Sequence, residues 1–183
     1  AISTVFSAWL CGQSQNAIGE WSTHLPYNAG NWVADGGQFV YFATGYGILR
    51  VHATEYSFER ISRTEGLSGT QIVALGYHQE SSQLAVAYAD GLVDLFGQEG
   101  VYLVPDLLLY DNVPIDKSIH RIRPMEGNGV LISGNYGVSQ LDVVTRRFLF
   151  TLFTPNLAVY DCMEAGTQLY MATEGGLYRF DRA

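Results

Sequence analysis

One twelve-residue pattern occurs four times in this chain, and a repeat of that kind leaves few folds open. The copies run over 40–51, 84–95, 130–141 and 169–180, aligned without gaps. Each holds an apolar run, a small residue (Ala43, Ala87, Ser133, Ala172), a three-residue turn, a glycine (Gly47, Gly91, Gly137, Gly176) and a second apolar run. Small residue and glycine recur in step, 44, 46 and 39 residues apart from copy to copy. Turns reading Thr-Gly-Tyr, Tyr-Ala-Asp, Gly-Asn-Tyr and Thr-Glu-Gly are hairpin chemistry, and a glycine closing them suits positive φ. A small residue four places earlier lets neighbouring sheets approach closely.

Each copy is preceded by another apolar run: Trp32–Ala34, Ile72–Tyr77, Ile122–Met125 and Leu157–Tyr160. A fourth, more polar run follows the first three copies, as at Tyr56–Ile61 and Phe148–Leu152. Four strands per unit, in units of about 40 to 50 residues, are the mark of a propeller blade. A sandwich or Greek-key barrel has no reason to repeat both markers in step, and a β-solenoid needs shorter repeats. The chain is therefore expected to be all-β, a β-propeller with four blade-like repeats of an incomplete ring of seven. The blades are expected at about 29–69, 70–118, 119–156 and 157–183, the last lacking its outer strand. The apolar stretch 101–111 reads as an outer strand with a longer connection. The segment 20–25 reads as a strand awaiting a partner beyond residue 183, as in a ring closed by its own N-terminus.

The opening Ala1–Leu10 is too short to span a bilayer but suits the apolar stretch of a secretory signal. Residues 1–12 are read as the remnant of one, cut near Gly12–Gln13, with a buried first strand as the alternative. A lipid anchor at Cys11 is disfavoured by Trp9 and Leu10 before it. Export to the periplasm or outer surface of a Gram-negative cell follows. Cys162 is then the only cysteine left, so no internal disulfide forms, and its apolar surroundings make it a small buried hydrophobe.

A net charge of −8, with Lys117 the sole lysine, argues against nucleic acid and anionic membranes as partners. No histidine pairs with another histidine or a cysteine at metal-ligand spacing, and no phosphate loop or nucleophile elbow occurs. No cofactor, metal or catalytic residue is expected. Asp90 and Glu174 fall at equivalent turns, where solvated turn residues and a converging acid pair read alike. Tyr46, Tyr88 and Tyr136 lie in or beside the same turns. They fit either an exposed aromatic ring for a sugar or protein partner, or packing between blades.

The copy Leu169–Asp181 resembles the two-component-regulator propeller repeat, with Tyr170 where a tryptophan is usual and Ala172 where a glycine is usual. A fuller similarity is to the PorZ family of the type IX secretion system. It is carried by Trp21–Asn28, Arg60–Gly69, Val86–Gly91 and Lys117–Ile122. That resemblance implies two propellers followed by a β-sandwich domain, and a non-enzymatic place at the cell surface beside a cargo-processing sortase and anionic polysaccharide. The first implies instead a glycan-sensing periplasmic domain of a hybrid two-component regulator. Neither transfers a functional residue to this chain.

Overall fold

The computed structural model describes Leu25 and residues 27–111 and 115–182. The signal remnant, Cys11 and residues 20–24 of the expected closing strand lie outside the described residues. Four antiparallel sheets follow one another along the chain. The first holds β1 (Gly30–Asp35), β2 (Phe39–Thr44), β3 (Ile48–His52) and β4 (Phe58–Ile61). The second holds β5 (Ile72–His78), β6 (Gln83–Tyr88), β7 (Val93–Gly97) and β8 (Gly100–Val104). The third comprises β9 (Ile119–Pro124), β10 (Gly129–Gly134), β11 (Gly137–Asp142) and β12 (Arg147–Phe153), and the fourth β13 (Val159–Ala165), β14 (Gln168–Thr173) and β15 (Gly176–Asp181). Strand order within each sheet is sequence order, as meander hairpins require. The 101–111 stretch divides into β8 and a single helical turn, α1 (Asp106–Leu109), whose Leu107 is buried.

The sheets stack face to face, and three cores mark the interfaces. Tyr41, Ile48, Ile72, Leu84 and Val86 join the first sheet to the second. Ala85, Leu95, Ile122, Ile132 and Leu141 join the second to the third. Leu131, Val138, Val159, Leu169 and Met171 join the third to the fourth. The first strand of each sheet packs on the first strand of the next. That is the radial arrangement of propeller blades, here in an open ring.

The repeated small residue sits opposite a feature absent from the sequence pattern. In every blade the first strand carries a β-bulge, at Asn31, Val73, His120 and Tyr160. The residue after the bulge pairs with the small residue: Trp32 with Ala43, Ala74 with Ala87, Arg121 with Ser133, Asp161 with Ala172. A bulge bends its strand and re-aims its side chains, and the missing bulk opposite gives those side chains room near the propeller axis.

The gap-free alignment fails at one place. Blades one, three and four turn on two residues, with Thr44 against Gly47, Gly134 against Gly137 and Thr173 against Gly176. The second blade turns on three, Ala89, Asp90 and Gly91, closed by Tyr88 N–H donating to the Leu92 carbonyl at 3.0 Å. Gly91, Gly137 and Gly176 have positive φ, but Gly47 does not. At Gly47 the constraint is space, since a Cβ would lie 3.0 Å from the Ile61 carbonyl.

Candidate functional site

The two-residue turns and the connections between blades gather on one face, because each turn is pinned to the connection beside it. Gly45 O accepts from Gln71 N (2.8 Å), Gln71 O from Ala89 N (3.1 Å), Ser118 O from Asn135 N (2.9 Å) and Ala158 O from Glu174 N (3.0 Å). Gln71 takes a left-handed φ of 64° to make the first of these bonds, a conformation that a non-glycine residue holds only when its surroundings impose it. Asp116 adds a side-chain strut. Its carboxylate accepts from the Ser118 hydroxyl and N–H (2.6 and 2.9 Å) and from Asn135 Nδ2 (2.6 Å), which holds its pKa below the ordinary 3.8.

Between the first two blades this face opens into a cleft of about 500 Å3, lined by Asn28, Asn31, Thr44, Tyr46, Gln71 and Val73 among others. Two of these are bulge residues, so the cleft lies at the mouth of the axis. Tyr46 stands on its rim, half exposed. Amide and hydroxyl groups beside an exposed aromatic ring are uncharged donors and acceptors with a stacking surface, a combination suited to polar neutral ligands. Thr44 is occupied by its own turn, donating to the Gly47 carbonyl at 3.1 Å.

The other turn residues fare differently. Tyr88 and Tyr136 have no exposed surface, so the exposed tyrosine ring is reduced to Tyr46. The packing alternative describes the other two: Tyr136 donates to the Ile132 carbonyl at 2.9 Å, and Tyr88 donates to Asp94 Oδ2 at 2.6 Å. Burial, reinforced at Tyr88 by Asp94, pushes both phenol pKa values well up. Asp90 is exposed and accepts from Leu92 N–H within its own turn (3.1 Å). Glu174 is exposed as well. Each belongs to its own turn in a different blade, and no contact joins the two.

Asp94 is the residue that the repeat pattern concealed. The extra turn residue of blade two shifts the pairing by one, so Ala87 faces Val93, where Ala43 faces Ile48 and Ser133 faces Val138. A one-residue shift sends every side chain of a strand to its other face. Asp94 thereby joins Val86 on the side toward blade one and is fully buried. Its Oδ2 also accepts from Ser68 N at 2.7 Å, tying the first connection to the second blade.

Cys162 is buried in the third interface, and loss of solvent, then the nearby Asp161 charge, pushes its thiol up to about 12. A thiol held protonated is a poor nucleophile. Among the described residues, no group of three or more histidine, cysteine or acidic side chains could hold a metal ion, and no helix is long and apolar enough to cross a membrane.

Sequential meanders, three of four strands and one of three, stacked about an axis define the chain as a β-propeller. It belongs to the family of PorZ N-terminal β-propeller domains of the type IX secretion system, whose profile matches residues 40–183. It is similar to the solved structure of PorZ, an essential bacterial surface component of the type IX secretion system of Porphyromonas gingivalis, with a TM-score of 0.73 and 24% identity over 84% of this chain. The chain spans only 20% of that protein. It is also similar to the extracellular domain of a putative one-component system from B. thetaiotaomicron, at TM-score 0.68 and 16% identity, covering 88% of this chain and 22% of the other. A structure described as a hybrid two-component system from the same organism gives 0.64 and 16%, over 81% and 20%. No curated protein matches the chain.

Proposed function

We propose that this propeller is a non-enzymatic interaction scaffold of type IX secretion, exported to the outer-membrane surface and working beside a cargo-processing sortase and cell-surface polysaccharide. Residues 1–12 are then a signal remnant, and residues 13–183 are part of an N-terminal propeller. The observation that carries this reading is membership of the PorZ propeller family over residues 40–183. The cleft around Tyr46 supports it, since its neutral amides suit polysaccharide or polypeptide and offer no charged group for acid–base chemistry. Asp90 and Glu174, exposed on the same face, are proposed to belong to the rim that a partner covers.

The test uses the full-length protein in its own cell. Tyr46→Ala combined with Gln71→Ala should reduce co-purification of the sortase, or binding of purified surface polysaccharide, at least fivefold without lowering the melting temperature. Unchanged binding of both would exclude this face. A second reading, a glycan-sensing domain of a two-component regulator, is favoured by the likeness to the B. thetaiotaomicron extracellular domains. A transmembrane helix followed by a histidine-kinase domain in the same reading frame would decide for it, and a terminal β-sandwich against it.

A further inference from the structure

The residues that follow the bulges form a cluster on the axis. Trp32 belongs to blade one, Arg121 to blade three and Asp161 to blade four, at equivalent positions of their first strands. The Arg121 guanidinium lies 5.2 Å above the Trp32 ring, crossing past the second blade, where the equivalent residue is only Ala74. On its other side Arg121 Nε stands 4.0 Å from Asp161 Oδ1, beyond hydrogen-bond reach. Asp161 is already engaged. It takes a two-pronged bond from Arg123, 3.2 Å at Nε with a second bond from Nη2, and a further bond from Cys162 N at 2.9 Å. Arg121 therefore keeps its forked edge without a hydrogen-bonding partner among the described residues, with 43% of its side chain exposed.

We infer that this cluster is a receptor for a single carboxylate, carried by an acidic side chain of a polypeptide partner. A guanidinium lying over an indole is restrained by that cation–π contact, and its free edge matches the two oxygens of a carboxylate. The contact also removes part of the rotamer freedom that an arginine loses on binding. Charge decides between anions. Two arginines against one carboxylate leave a local excess of one positive charge, which balances a carboxylate but falls short of a phosphate at roughly −1.5 to −2. The walls decide between carriers. The His120–Tyr160 ring stack (centroids 5.2 Å apart) lies on the strands that supply Arg121 and Asp161. Aromatic surface beside an arginine is the composition of a protein–protein contact centre. The inference deepens the scaffold reading by naming the partner's chemistry. Its test does not involve secretion, so either can fail alone.

The test is equilibrium dialysis of the full-length protein against four probes: the amide of N-acetyl-Phe-Glu-Leu, its Phe-Gln-Leu counterpart, glucuronic acid and inorganic phosphate. The glutamate peptide should bind at least tenfold more tightly than the other three. Arg121→Gln and Arg121→Lys should each lose at least tenfold, because lysine restores charge but not the fork, and Trp32→Phe should lose less. Equal binding of the two peptides would overturn the inference, as would failure of the glutamate peptide to bind. Tighter binding of glucuronate or phosphate would overturn the polypeptide assignment. Should Arg121→Gln not fold, the two peptides against the unaltered protein and Arg121→Lys still decide.

Discussion

Tyr88 and Asp94 form the most consequential pair of single residues outside the axis. Both are fully buried, and the phenol donates to a carboxylate whose second oxygen, Oδ1, has no hydrogen-bonding partner among the described residues. Hydrogen bonds to charged groups contribute about 1.5–3 kcal/mol, and removing one partner leaves the other desolvated. Tyr88→Phe should therefore destabilise the protein by about 2 kcal/mol in urea unfolding, with activity in partner binding unchanged once folded. A loss within experimental error would mean that water replaces the hydroxyl. Cys162 makes the opposite kind of prediction. With its thiol raised to about 12 by burial, it should resist maleimide at pH 8 in the native state and react fully in denaturant. Rapid native labelling would show that the third interface opens.

At the scale of elements, the hairpins rank their glycines by two separable terms. At Gly137 a Cβ would collide with the Leu152 carbonyl, and φ is 128°. At Gly176 φ is 121° but nothing lies within 4 Å. At Gly97 φ is ordinary and the nearest atom is Gln83 Cγ at 3.4 Å. Valine at each should thus cost most at 137, about 1 kcal/mol or somewhat more at 176 from backbone strain alone, and least at 97. Thermal unfolding of Gly137→Val, Gly176→Val and Gly97→Val checks the order, and equal losses would contradict it. The connection before blade three carries a pH dependence. Asp116 titrates below 3.8 when folded, so its contribution is complete above that value and is lost as pH falls through the lower folded one. Asp116→Asn should lower the melting temperature at pH 7, where the carboxylate's contribution is complete, and flatten its fall below about pH 4.

For the molecule as a whole, the two end faces of the open ring dominate solution behaviour. The outer face of blade one exposes Val33, Phe42 and Phe58, and that of blade four exposes Met163, Tyr170 and Leu177. Inside the ring the equivalent faces are covered by a neighbouring blade. Contiguous apolar surface of this kind drives association. The 183-residue chain on its own should therefore elute as oligomers or aggregates in size-exclusion chromatography with light scattering. A monodisperse monomer with a sharp melt would show that four blades suffice.

The propeller was legible in the sequence because its determinants are local and repeated. Apolar runs of strand length, turn residues and a small residue in step each follow from backbone sterics within a few positions. The site was only partly legible. Tyr46, Tyr88 and Tyr136 occupy similar places in the repeat, yet one is on the surface and two are in the core. Burial depends on which blade and connection lie above each ring, not on the turn itself. The bulges left no mark in residue type, since Asn31, Val73, His120 and Tyr160 share no chemistry. Asp94 reads in sequence as one more polar position of a third strand. A single extra residue in the preceding turn, detectable only as a pairing register between strands, turned it into the interior. The meeting of Trp32 with Arg121 joins blades one and three, and only the closing of sheets around an axis brings residues so distant in sequence to one place.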